Sequence, residues 1–145
     1  MVPKENILNN TLIQILNMRT LKFRIWDETN KKWGRVEQLE CDYKGYLSYF
    51  DMDCGEHIAA EKVVIQQFTG FVDTNKKEIY EGDIVILSCY NDLRKCTVVY
   101  DQDRGMFILE WEWSKNQHWT ILTCDTAMEC EVVGNIFEKP KVYEL

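Results

Sequence analysis

The sequence lacks any apolar run that approaches the roughly 18 residues needed for a transmembrane helix. Near the N-terminus, Asn9-Asn10-Thr11 and Gln14 interrupt the apolar residues, so they form no signal-peptide core. Internal repeats and low-complexity segments are also missing. These absences argue against membrane-spanning and repeat proteins and predict a cytoplasmic protein with reduced thiols.

The sequence is also poor in residues and motifs that carry chemistry. It contains only two histidines, His57 and His118, and no nucleophile elbow, P-loop, dinucleotide-binding fingerprint or zinc-protease helix. Acidic pairs such as Asp101/Asp103 are expected in turns, where they usually increase solubility. We therefore predict a non-enzymatic protein without a cofactor. A small hydrolase with a cysteine or carboxylate centre is the remote alternative.

Cysteines are present, but their spacing does not indicate a metal site. The six are Cys41, Cys54, Cys89, Cys96, Cys124 and Cys130. Structural zinc needs four clustered ligands, and Cys54 with His57 is the one close pair, so we predict no metal. A hairpin loop at 91–94 would place Cys89 directly opposite Cys96, near the lower distance limit for a disulfide. Whether they pair stays open.

The charge is acidic and unevenly distributed. With 17 basic and 24 acidic residues the net charge is −7, which argues against a protein that holds duplex DNA through its phosphates. Segment 19–35 contains six basic residues and two acidic ones, whereas 37–61 contains one lysine and seven acidic residues. This asymmetry fits complementary faces of a self-associating protein as well as it fits a nucleic-acid site.

The hydrophobic pattern predicts a mainly β protein, α+β at most. Residues 1–17 are expected to form a short amphipathic helical extension, because Leu8, Leu12, Ile15 and Leu16 share one helical face. This helix is either an oligomerisation arm or packs on its own subunit. From Leu21 the period changes to two, which is typical of strands.

Later strands recur at about the 8–12-residue spacing of a small barrel or sandwich. We predict an N-terminal β-rich lobe over 18–68, with a short helical turn at 57–62, and an SH3-like β-barrel over 69–145. The glycine of Glu81-Gly82-Asp83 accepts a positive φ, and the Asp83 carboxylate can accept a nearby backbone N–H.

Three motifs carry a resemblance to a known family. They are Lys22-Phe23-Arg24-Ile25-Trp26-Asp27, the stretch from Gln67-Phe68-Thr69-Gly70 to Glu78-Ile79-Tyr80-Glu81-Gly82-Asp83-Ile84-Val85, and Glu131-Val132-Val133-Gly134-Asn135-Ile136-Phe137-Glu138. Together they resemble the YopX family of small phage and prophage proteins, over about residues 18–145. The resemblance implies a β-rich protein without an established activity, located in the cytoplasm of a bacterial host.

Two positions depart from the family pattern. The family's turn after the Thr-Gly step often contains Asn-Gly, whereas this chain has Asn75-Lys76. We therefore expect Asn75 to adopt the positive φ, or the turn to be longer. Phe71-Val72 is a second departure, because the family often has a leucine followed by a polar residue here, and an exposed Val72 would mark an interface.

Two sets of residues are candidates for function or for shaping the backbone. The candidate interaction surface combines basic and aromatic side chains: Arg19, Lys22, Arg24, Trp26, Lys31, Lys32, Trp33 and Arg35. The structural turn motif comprises Gly70, Gly82, Asp83, Gly134 and Asn135. On this hypothesis Asp83→Ala costs about 1 kcal/mol, as for other local caps.

We expect a phage or prophage accessory protein that acts as a binding or homo-oligomeric module, with a phage or host protein as partner. The alternative is a single-stranded nucleic-acid-binding module that uses Trp26, Trp33 and the basic segment 19–35. The indoles could instead pack across neighbouring strands or in an interface, which we favour.

Overall fold

In the computed structural model, the described residues are 20–52, 57–59, 63–89 and 91–138, and of 35, 37–39, 47–52, 57 and 58 only the backbone is described. The helical extension expected over 1–17 and the candidate residue Arg19 lie outside this part of the chain. The prediction of a mainly β protein is confirmed.

The described part of the chain forms eleven strands and one short helix in two antiparallel sheets. The strands of the first sheet are β1 Phe23–Asp27, β2 Lys32–Cys41, β3 Leu47–Met52, β4 His57–Ala59, β5 Val63–Val72 and β6 Glu78–Tyr80. The other elements are β7 Asp83–Cys89, β8 Asp92–Asp101, β9 Met106–Trp113, β10 Asn116–Ile121, α1 Cys124–Met128 and β11 Cys130–Asn135.

The first sheet has the order β4-β3-β2-β1-β5-β6, so β1 is a central strand. Its alternating sequence predicts one buried face, but Ile25, Trp26 and Asp27 are all buried. The second face is buried because the Trp26 ring stacks on Phe137, which follows the last strand. Strand β1 therefore lies where the first sheet meets the end of the second.

The second sheet has the order β10-β9-β8-β7-β11. Strands β7 to β10 form a meander, and β7 also pairs with β11, the last strand in the sequence. Thr123 caps the helix α1, which precedes β11. The core comprises Ile79, Val85, Leu87, Cys96, Val98, Leu109, Leu122, Ala127, Cys130 and Val132. The strand order is compatible with an SH3-like barrel, and closure of that barrel stays a prediction. No helix in the described part of the chain is long and apolar enough to span a membrane.

The boundary expected between residues 68 and 69 falls inside β5 (63–72), which is continuous across it. Strand β6 pairs with β5, so the first sheet continues to Tyr80, and the second begins at Asp83. Glu81 and Gly82 form the turn between them. The two sheets thus meet at the corner that the sequence analysis identified.

The prediction that Cys89 faces Cys96 is wrong. Cys89 pairs with Asp92 and Cys96 pairs with Val85, because the β7–β8 loop contains two residues and not four. Cys96 is 1% exposed, and burial raises the pKa of its thiol to about 12. Burial raises the pKa of Cys130 to about 12 as well. These thiols are core residues of the second sheet.

Two local expectations also differ from the structure. His57–Ala59 forms strand β4 where a helical turn was expected, because these residues pair with β3. In the β5–β6 turn, Lys76 and not Asn75 adopts the positive φ, at 66°. The carboxylate of Asp73 accepts the N–H groups of Asn75 and Lys77 at 2.8 and 2.9 Å, which holds the turn in this form.

Candidate functional site

A buried polar cluster joins the two sheets. It consists of Arg24 on β1, Gln66 on β5, Asp83 at the start of β7 and Asn135 at the end of β11. Arg24 donates from Nε to Gln66 Oε1 at 2.9 Å and from Nη2 to Asp83 Oδ1. Asn135 Nδ2 donates to Gln66 Oε1 and to Asp83 Oδ1, both at 3.1 Å. Gln66, Asp83 and Asn135 are buried and Arg24 is half-buried, so the three buried groups need these partners.

The backbone around this cluster donates hydrogen bonds to its side chains. Asp83 Oδ2 accepts the N–H of Tyr80 at 2.8 Å, and Asn135 Oδ1 accepts the N–H of Phe137 at 3.1 Å. Gly82 has a φ of 78°, and an added Cβ would lie 2.1 Å from Gln66 Nε2. Any side chain at this position would therefore displace the amide that the cluster requires.

Gly70 and Gly134 both lie at irregularities of the ladders. Gly70 has a φ of 91° and lies where the register of β5 against β6 shifts. Gly134 follows a register shift between β11 and β7. Asp73 accepts the N–H of Val132 at 2.9 Å and so bonds the β5–β6 turn to β11. These contacts set the backbone path between the sheets.

An open groove lies beside the buried cluster, and we call it the aromatic groove. Its volume is about 590 Å³, and its lining residues are Lys22, Phe23, Arg24, Trp33, Gly34, Val36, Glu78 and Tyr80. The Arg24 guanidinium carbon lies 4.5 Å from the Trp33 ring centre and 4.5 Å from that of Tyr80. The cation is therefore held between two aromatic rings as well as by Asp83.

Polar contacts fix the walls of this groove. Lys22 Nζ lies 2.5 Å from Glu78 Oε1, and the Tyr80 hydroxyl donates to Glu78 Oε2 at 2.9 Å. The Lys22 hydrogen bond lowers the pKa of Glu78, while burial and Glu78 raise the pKa of Tyr80 to about 12. Trp33 Nε1 donates to Glu138 Oε1 at 2.7 Å. The groove is thus an ordered surface with one cation and one anion at its exposed margin.

The structure brings only part of the candidate interaction surface together. Lys22, Arg24 and Trp33 line the aromatic groove. Trp26 is 5% exposed and lies directly opposite Trp33, with ring centres 5.0 Å apart, so it is a packing residue. The indole Nε1 of Trp26 is buried, and no described residue accepts a hydrogen bond from it.

Two further candidates, both lysines of the β1–β2 turn, do not line this groove. Lys31 and Lys32 are exposed at the β1–β2 turn, where Lys31 forms an ion pair with Glu28. Arg35 lies in β2, and its side chain is outside the described part of the structure. The basic segment is therefore divided between the groove, the turn and the body of the first sheet.

Sequence reasoning missed Gln66, Glu78 and Tyr80 as members of the site. Gln66 could have been identified, because it follows the β-branched residues Val63, Val64 and Ile65 and is 2% exposed. A polar side chain at such a position requires a buried partner. Glu78 and Tyr80 carry no comparable signal, since their neighbours in the groove come from distant strands.

A second, smaller groove lies on the second sheet. Its volume is about 190 Å³, and its lining residues are Asp92, Arg94, Trp111, Trp113 and His118. Trp111 stacks with His118 at 5.8 Å, and the Arg94 guanidinium lies 5.0 Å from the Trp111 ring centre. Within the described residues, no group of three or more His, Cys, Asp or Glu side chains could hold a metal ion.

The fold is similar to two solved structures. Protein EF1440 from Enterococcus faecalis is 22% identical, with a TM-score of 0.64 over 84% of this chain and 96% of that one. Protein yopX from Bacillus subtilis is 18% identical, with a TM-score of 0.56 over 85% of this chain and 98% of that one. None of the curated proteins matches the chain significantly. The family model described as YopX protein matches residues 22–144. The chain belongs to the YopX protein family.

Proposed function

We propose that this protein is a non-enzymatic binding module that recognises a segment of another protein in the aromatic groove. On this proposal it is a phage- or prophage-encoded accessory protein that acts in the cytoplasm of a bacterial host. Its partner is a phage or host protein. The observation that carries the proposal is the groove of about 590 Å³ between Trp33 and Tyr80, with Arg24 held between the two rings.

The shape and chemistry of the groove suit a peptide segment. Phe23, Val36 and the rings of Trp33 and Tyr80 supply apolar area for burying a side chain. Lys22 and Glu78 are 49% and 40% exposed, so each retains surface for a polar contact at the margin. An apolar centre with a polar, partly hydrated margin is the usual anatomy of protein–protein interfaces.

The charges support a protein partner over a nucleic acid. Lys22 is paired with Glu78 and Arg24 with Asp83, so the two cations of the groove already have two anionic partners. Single-strand binding combines a basic path for phosphates with aromatic faces for bases. Here the inner faces of Trp33 and Tyr80 are occupied by Arg24.

A peptide selection tests the proposal. The immobilised protein is exposed to a random peptide library, and enriched peptides are then labelled and titrated by fluorescence anisotropy. Val36→Trp fills the groove and is expected to weaken binding by at least about tenfold, which is about 1.4 kcal/mol. Leu93→Trp is the matched control, because Leu93 is 54% exposed and lies outside the groove. Peptides whose affinity Val36→Trp leaves unchanged would contradict the proposal.

An oligothymidylate titration tests the nucleic-acid alternative on the same protein. The exposed Lys31 and Lys32 are the residues that favour this alternative. If it holds, affinity falls steeply with salt, and a Lys31→Glu/Lys32→Glu variant shows weaker binding and a smaller salt slope. We expect no binding that depends on these two lysines.

A further inference from the structure

We propose that strand β10 pairs with β10 of a second copy of this chain, so that the second sheets of both copies form one continuous antiparallel sheet. Strand β10 (116–121) is the last strand of its sheet among the described residues, with β9 on one side. Adding a strand to an open sheet edge is an established mode of protein recognition. This surface is separate from the aromatic groove and does not depend on the function proposed for it.

One hydrogen bond fixes the direction of the backbone groups along β10. Leu122 donates its N–H to the carbonyl of Phe107 at 3.1 Å, and the β9–β10 register continues without a shift to Asn116. In an antiparallel ladder, residues alternate between hydrogen-bonded and non-hydrogen-bonded pairs. The N–H and C=O groups of Gln117 and Trp119 therefore point away from β9, towards the open side of the sheet.

The opposite edge of the same sheet is covered. On β11, the N–H of Val132 donates to Asp73 Oδ2 at 2.9 Å, and the carbonyl of Cys130 accepts the N–H of Thr74 at 3.0 Å. The β5–β6 turn thus bonds the outer groups of β11. Within the described part of the chain, no corresponding segment bonds the outward groups of Gln117 and Trp119.

The sequence of β10 also lacks the features that normally block edge pairing. Its six residues include no Lys, Arg, Asp, Glu or Pro, and its pairing with β9 has no bulge. Trp119 is 45% exposed and Ile121 is 43% exposed. Natural edge strands are usually protected by charges, proline or bulges. An edge without them is a template for another strand.

The charges at the two ends of β10 favour a second copy in the antiparallel direction. Lys115 precedes the strand and Asp125 follows it, and both are exposed. Antiparallel pairing of two identical strands brings each Lys115 towards the start of α1 in the other copy, which carries Asp125, whereas parallel pairing brings like charges together. A twofold axis satisfies the same groups on both copies.

The register that uses the most outward groups is centred on Trp119. It places the two Trp119 residues opposite each other and Gln117 of one copy opposite Ile121 of the other. The Ile121 carbonyl already accepts the Thr126 hydroxyl at 3.2 Å and keeps a second lone pair for this bond. Facing indoles would add a cross-strand aromatic pair.

Replacing Trp119 with residues of either charge tests this register. We expect the full chain to sediment at no less than twice its 17.3 kDa mass. Trp119→Lys and Trp119→Glu, each measured alone, should weaken association at least about tenfold, because like charges face each other. An equimolar mixture of the two variants should recover it. Trp113→Lys is the matched control, because it removes another exposed indole from β9, which is not the edge strand.

A proline variant tests the backbone bonds independently. Gln117→Pro removes an outward N–H without removing a bond to β9, which is the position where an edge strand tolerates proline. It should abolish association while near-UV circular dichroism and urea unfolding stay close to those of the wild type. A monomeric wild type would overturn the proposal. So would association that persists in Trp119→Lys and in Gln117→Pro, since this would place the contact on another surface.

Discussion

Replacing Asp83 by alanine is expected to destabilise the protein by about 3–5 kcal/mol, because three donors share this buried carboxylate. They are the Arg24 guanidinium, the Asn135 amide and the Tyr80 backbone N–H. The cost expected for a local turn cap is only about 1 kcal/mol. The two magnitudes are far enough apart for a denaturation experiment to distinguish them.

The larger of the two free-energy costs follows from the hydrogen bond that each donor loses when the Asp83 carboxylate is removed. Tyr80 is 8% exposed, so its N–H would be left without an acceptor at a cost of about 1–3 kcal/mol. The hydrogen bond from the charged Arg24 contributes about 1.5–3 kcal/mol. Arg24 keeps Gln66 Oε1 and is 23% exposed, and Asn135 also keeps Gln66 Oε1. These remaining contacts and water favour the lower end of the range.

Urea unfolding of a double-mutant cycle is the assay. Asp83→Asn and Arg24→Met are measured singly and together, and we expect a coupling of about 1–3 kcal/mol between these contacting residues. Lys31→Met is the control, because the exposed Lys31–Glu28 pair should contribute about 0–1 kcal/mol. If Asp83→Ala costs about 1 kcal/mol or less and the coupling is absent, Asp83 acts only as a turn cap and the reasoning is refuted.

Three further predictions concern single side chains. Lys76→Gly relieves a positive φ and should raise the unfolding free energy by about 0.5–1 kcal/mol, whereas a similar gain from Asn75→Gly would contradict this conformation. Burial raises the pKa of Glu81, so its folded state binds the proton more tightly and stability is lost as pH rises through the titration range of this carboxyl. Urea unfolding should therefore show that Glu81→Gln is more stable than the wild type at neutral pH but not below about pH 4. An equal gain in stability at the two pH values would show that burial of the Glu81 charge is not its cause. Mass spectrometry of iodoacetamide-treated native protein should find the exposed Cys124 labelled and the buried Cys96 and Cys130 protected, and labelling of either buried thiol before unfolding would contradict their placement.

The strands and the corner between the sheets were predictable because their signals are local. Alternation predicts β1, a continuous apolar run predicts β7, and Glu81-Gly82-Asp83 predicts a turn with a positive φ at glycine. The partners of that corner were not predictable. Arg24 and Asp83 are separated by 59 positions in the sequence, and periodicity carries no information about which distant strands meet.

The β7–β8 hairpin shows why a register is harder to predict than a strand. The polar residues from Asn91 to Arg94 resemble a loop, yet Asp92 and Arg94 belong to β8. Both line the second groove, and Arg94 packs over the Trp111 ring. Their polarity reflects an open face of the sheet and not a turn. A loop assigned from polarity alone therefore placed Cys89 opposite the wrong residue.

The structure separates the described members of the candidate interaction surface, and their ion pairs bear on what they can bind. Basic and aromatic residues that are close in sequence suggest a path for phosphates and bases, but composition does not reveal which cations are already paired. Arg24 is bonded to Asp83 and held between Trp33 and Tyr80. A nucleobase that stacked on the inner face of either ring would have to displace a cation–π contact of about 0.5–2 kcal/mol and weaken a partly buried ion pair. On the function proposed above, a protein segment that packs against Phe23 and Val36 in the aromatic groove leaves both interactions intact, which is why we propose a protein partner and not a nucleic acid.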